Sequence, residues 1–172
     1  MSGLADILNW GPVSSVRRNH ALEHATINLL SRKMPGISLA GYSDWRGFWI
    51  FGDVDTEELQ LTIDEALIRL SQGEGNLAIH ANCGTNFVTT GLLVGTAAWL
   101  GMAGSGSGFR RKLDRWPLVI SLVTTTLILS QPLGPIVQAH LTTESNPGHL
   151  HVIQIMGYQR NGMTAHRVST RN

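Results

Sequence analysis

The sequence predicts an α+β protein: a small head (helix, hairpin, helix, strand), a two-helix membrane hairpin and a C-terminal β-hairpin. Three observations predict it. Charged residues make up 15% of the 172-residue chain, against roughly 25% in ordinary soluble domains. The deficit is local, with no Asp, Glu, Lys or Arg from Gly75 to Phe109 or from Trp116 to Thr143. Outside those stretches, apolar residues recur at helical or alternating spacing between turn signals. The expected parts are a head over 1–86, a transmembrane or re-entrant hairpin over 87–137 and a tail over 138–172.

In chain order, Leu4, Ile7, Leu8 and Trp10 suit a short interfacial helix or a packed terminus. The first ten residues have neither the basic start nor the long apolar run of a secretory signal. Gly11-Pro12 breaks the chain, and Ser14 or Ser15 can cap a helix running to about Lys33, before Pro35-Gly36. Leu22, Ala25 and Leu29 share one face of it; His20, His24, Ile27 and Ser31 share another. Ile37–Ser43 and Phe48–Val54 read as two strands joined by a turn at Asp44–Gly47.

Asp55 and Glu58 make a capping-box-like start to a helix carrying Leu59, Ile63, Ala66, Leu67 and Leu70. Asn76–Ala81 reads as a short apolar strand. The apolar segments Phe87–Ala103 and Leu118–Val137 follow, near the roughly 17–25 residues that a helical span needs. A pair of buried helices is the alternative. Gly91 and Gly95 have the spacing that lets membrane helices approach closely. Gln131-Pro132 and Gly134-Pro135 predict a kink or an end. Gly104–Gly108 is a flexible linker. In the tail, His149–Tyr158 and Met163–Thr170 read as strands around an Asn161-Gly162 turn, able to return to the head's sheet.

The totals exclude several functions. A net charge of +1 without a long basic run leaves no electrostatic footprint for nucleic acid. A single cysteine, Cys83, excludes an intrachain disulfide. The loop between the apolar segments carries Arg110, Arg111, Lys112 and Arg115 against Asp114. The positive-inside rule puts such a loop in the cytoplasm, whereas a head without a signal sequence resists translocation. The side on which the head lies stays open.

The chemistry-bearing residues fall in two clusters. His20-Ala-Leu-Glu23-His24 places two imidazoles four residues apart on one helix face, able to reach one metal ion. Glu23 beside them fits a general base acting on water at that metal, the H-x-x-E-H arrangement of inverted zincins. His80-Ala-Asn-Cys83 has ligand-compatible spacing, and imidazole with thiolate suits zinc. Three ligands leave a position for water; four close the site and make it structural. His140, His149, His151, His166 and Glu144 are weaker candidates.

The combination resembles the YqhQ-type family of bacterial membrane proteins, described as metal-dependent enzymes of unestablished reaction. HALEHATI, His20 to Ile27, matches its His-x-x-Glu-His-x-Thr-Ile element. HANCGTNF, His80 to Phe87, matches its His-x-x-Cys-Gly-Thr-x-Phe element. Gln138 to Pro147 is similar to its Leu-Thr-Thr-x-Glu-Pro region. The hairpin and helix over 37–71 depart from it, as does Glu144-Ser-Asn-Pro147, which marks a divergent or sister group. The resemblance implies a metal role for His20, Glu23, His24, His80 and Cys83.

These readings converge on an integral membrane, metal-dependent hydrolase, with His20, His24, His80 and Cys83 as the ligand candidates for zinc and Glu23 catalytic. It would contact membrane lipid and act near the membrane surface, on a peptide bond of a protein substrate by analogy. A non-catalytic rival uses the same residues as a structural clamp in an assembly factor or subunit of a membrane complex. A haem- or pigment-binding subunit ranks below both, since no Cys-x-x-Cys-His occurs.

Overall fold

The computed structural model describes residues 2–106, 108–160 and 163–172. The expected Asn161-Gly162 turn lies outside the described residues. The chain folds into two compact units, Met1–His80 with Ala139–Asn172, and Ala81–Gln138.

In the first unit, helix α1 (Ser2–Asn9) precedes the long helix α2 (Gly11–Lys33). α2 begins earlier than the serine caps suggested. Trp10 is its N-cap and Pro12 lies in its first turn, where a missing N–H costs no hydrogen bond. Ser15 instead donates its hydroxyl to the Gly11 carbonyl. Strands β1 (Ala40–Asp44) and β2 (Gly47–Phe51) form the expected hairpin. Gly47 has φ of 142° and sits so close to the Val168 carbonyl that no side chain would fit there. Helix α3 (Thr56–Ser71) starts at Asp55, whose carboxylate accepts the Glu57 N–H.

The strand expected over Asn76–Ala81 is not formed; Gly75–Ala78 is a 3-10 turn. A strand needs a neighbour's ladder. Here the carbonyls of Leu77 and Ile79 instead accept from the Asn28 side chain, each at 2.9 Å. The sheet is completed by the tail: β3 (His151–Arg160) and β4 (Met163–Arg171) form a hairpin, and β4 pairs with β2. The antiparallel order is β1-β2-β4-β3. Leu22 and Leu30 of α2, Leu59 and Ile63 of α3, Phe48 and Ile50 of β2, and Val168 of β4 make the core between helices and sheet.

In the second unit, α4 (Gly84–Met102) packs on α6 (Trp116–Ser130) and on α7 (Leu133–Val137), with the short α5 (Phe109–Asp114) between α4 and α6. A Cβ at Gly101 would meet Val119 and Leu122, Thr90 lies by Ser130, and Gly134 abuts Asn86, so the helices run antiparallel. The small residues expected at the helix contact are displaced: Gly91 and Gly95 face open space among the described residues, and Gly101 makes the close approach. The second apolar segment breaks at Gln131-Pro132, since proline cannot continue the hydrogen-bond ladder.

Among the described residues no single helix is long and apolar enough to cross a membrane. Trp116–Ser130 and Leu133–Thr142 pass that test of length and composition together, bent by 51°. The expected transmembrane or re-entrant hairpin is carried as far as this coarser statement. Both helical segments nonetheless carry exposed apolar side chains, among them Phe87, Leu92, Trp99, Ile128 and Leu129.

Candidate metal centre

The site grows from α2. From Asn19 to Leu30 nearly every residue of this helix is buried, because sheet, α3 and connecting segments surround it. Its polar side chains therefore need partners inside the fold. Arg17, His20, His24 and Asn28 recur three or four residues apart, so they form one polar stripe along the helix.

Each member of the stripe grips a backbone carbonyl. His24 Nδ1 lies 2.8 Å from the Ala78 carbonyl, and His20 Nδ1 lies 3.0 Å from the Thr142 carbonyl. A carbonyl oxygen only accepts, so in both rings Nδ1 carries the hydrogen. In the neutral form Nε2 of each ring then holds the lone pair that a metal requires. This is the outer contact typical of metal-bound histidines, which fixes tautomer and ring direction. One ring nitrogen of His20 and one of His24 lie within 4.8 Å of each other, close enough to serve a single ion.

His80 joins them. Its ring centroid lies 5.6 Å from that of His24, and the His20 and His24 centroids are 4.2 Å apart. The 3-10 turn and the Asn28 bonds to Leu77 and Ile79 deliver His80 to this place. In the first unit His24 thus has an imidazole neighbour on either side, His20 and His80.

Glu23 points toward the sheet. Its carboxylate accepts the Ser43 hydroxyl and packs on Gly41, where a Cβ would overlap it. Glu23 is 4% exposed, so burial and β1 fix it. Cys83 belongs to the second unit, where it is the N-cap of α4 and its sulfur accepts the Thr85 N–H at 3.4 Å.

The weaker candidates lie apart in kind. His140, His149 and His151 are exposed. His166 is buried on β4, with Nε2 3.0 Å from the Thr56 hydroxyl. Burial holds its pKa below the ordinary histidine value, against a smaller upward pull from Asp55. Glu144 pairs with Arg17 at 3.5 Å. Sequence reading missed Arg17, Asn28 and the carbonyls of Ala78 and Thr142. The polar stripe at helical spacing was the available signal for the two side chains; no sequence pattern marks a carbonyl.

Comparison with known proteins adds a family but no reaction. The pattern described as "Domain of unknown function (DUF6391)" matches residues 15–155. An uncharacterized protein of Picosynechococcus sp. (strain ATCC 27264 / PCC 7002 / PR-6) is 35% identical over 146 residues, 74% of this chain. The chain spans 65% of that relative's length. No solved structure matches.

Proposed function

This chain belongs to the DUF6391 family, and we propose that it is a membrane-associated, zinc-dependent hydrolase centred on α2. The observation that carries the metal is the pair of Nδ1–H bonds to carbonyls, which presets Nε2 of His20 and His24 as ligand atoms. His80 is a third nitrogen donor. Cys83, three residues beyond His80, is the alternative to His80 as third ligand in the hydrolase, where a position stays open for water, and all four bind together only in the structural reading. Nitrogen with thiolate favours zinc over harder cations. The likeness of HALEHATI and HANCGTNF to the YqhQ-type motifs supports the same assignment.

When bound, zinc acts as a Lewis acid toward water and a carbonyl or phosphoryl oxygen. Glu23, whose carboxylate accepts the Ser43 hydroxyl, would be the residue that takes a proton from that water. The exposed apolar surface of α4 and α6 favours membrane association, because contiguous apolar patches on a protein surface mark contact with lipid or protein. The substrate proposed is one near the membrane surface, with a peptide bond as the first class to test. The rival reading, a closed structural site in a membrane-complex subunit, draws on the burial of Glu23.

Metal content and hydrolysis of a vesicle-presented peptide separate the readings. In the hydrolase, Glu23→Gln keeps zinc and fold and loses turnover. In the structural reading Cys83→Ala loses zinc and loosens the head, while Glu23→Gln changes little. Wild-type protein purified without chelators and holding no metal ends both.

A further inference from the structure

The stripe on α2 also contains a residue that is not a proposed ligand but holds a whole segment of backbone carbonyls. Arg17 is 8% exposed. Its Nε donates to the Leu141 carbonyl at 2.9 Å, and Nη2 donates to the Thr143 carbonyl at 3.0 Å and the His140 carbonyl at 3.4 Å. Nη1 reaches the Leu8 carbonyl at 3.4 Å and the Glu144 carboxylate at 3.5 Å. The return contact closes the clamp: Glu144 N–H donates to the Arg17 carbonyl at 3.1 Å.

The carbonyl between those of Leu141 and Thr143 belongs to Thr142, and it is the one that receives Nδ1–H of His20. A peptide segment whose flanking carbonyls are both held has little freedom to turn the middle one away. We propose that Arg17 is the positioning residue of the metal centre: it aims the Thr142 carbonyl at His20 and so keeps His20 in the tautomer that offers Nε2. This rests on the metal reading given above. His24 is positioned independently, by Ala78. The guanidinium is required for its fork. Five N–H donors in one plane serve several carbonyls at once, which a lysine ammonium on its flexible stem does not.

The test uses the full chain in detergent and cobalt(II) as the metal probe. Long-range 15N–1H NMR reads the histidine tautomers, with the His20 signals assigned by their loss in His20→Gln. Wild type shows Nδ1–H at both His20 and His24. Arg17→Lys, which keeps the charge toward Glu144, gives a mixed tautomer at His20 and leaves His24 unchanged. Cobalt affinity falls about tenfold, the scale of an outer-contact change. Glu144→Gln keeps both tautomers and the affinity.

A folded Arg17→Lys with His20 and cobalt affinity unchanged overturns the proposal while the metal reading stands. An Nε2–H tautomer at His20 in the wild type overturns it even where the lysine variant does not fold. Wild type that binds no cobalt overturns the metal reading, and the tautomers still decide whether Arg17 positions His20.

Discussion

His24 donates its Nδ1 hydrogen to the carbonyl of Ala78, 2.8 Å away. The two lie far apart in sequence, and the bond ties the middle of α2 to the turn that ends in His80. One helical turn further on, Asn28 holds the carbonyls on either side of Ala78, those of Leu77 and Ile79. The turn before His80 is thus held by side chains of α2 rather than by a strand ladder.

Asn28→Ala leaves both carbonyls without that donor. The expected cost is about 1–3 kcal/mol, read by urea denaturation. Zinc retention falls with it, because His80 is carried on the loosened turn. A variant as stable and as zinc-rich as wild type would show that the turn is held by other means.

His166 gives the stability of the first unit a pH dependence. Its folded pKa lies below the unfolded value of 6.5, because burial opposes the charged ring. The unfolded chain therefore binds the proton first. The contribution is intact above the unfolded pKa and is lost as pH falls from there through the folded pKa. Urea midpoints should drop from about pH 7 to about pH 5, and His166→Gln should flatten that drop. Asp44 acts in a more acidic window. Burial works against its ionisation, but hydrogen bonds from Arg167 and the Arg46 N–H outweigh that and lower its pKa. An unchanged pH profile in His166→Gln would remove the histidine from this role.

The two glycines of α4 should respond in opposite directions. A Cβ at Gly91 meets open space, so Gly91→Ala should stabilise by roughly 0.5–1 kcal/mol through the unfolded chain and helix propensity. At Gly101 a Cβ would lie 3.0 Å from Val119 Cγ2 and 3.2 Å from Leu122 Cδ1. Overpacking of this kind works against the same gain, so Gly101→Ala should show none. Thermal melts in detergent decide; equal gains at both sites would mean that α4 and α6 pack elsewhere.

Much of the first unit was legible because its signals are local. Asp55 caps α3 by bonding the next turn's N–H, and Gly47 closes the hairpin by lacking a side chain. The His20–His24 pairing is also local, since helix geometry alone puts residues four apart on one face. Asn76–Ala81 failed as a strand for the opposite reason. Its apolar run suited a sheet, but whether a neighbour exists is decided elsewhere in the chain, and β4 had taken the place beside β2. The small-residue contact of α4 failed similarly, since spacing identifies a face without saying which partner meets it.

The sequence by itself determined the charge-free stretches, the two long helices and the two hairpins of the first unit, and which side chains on α2 could act as ligands. Only the tertiary structure decided how those ligands are held. Ala78 and Thr142 contribute backbone carbonyls, which every residue possesses, so no residue identity marks them. They reach His24 and His20 because the 3-10 turn and the segment clamped by Arg17 both return to α2. That return also fixes which ring nitrogen carries the hydrogen, and with it which one is left to bind a metal.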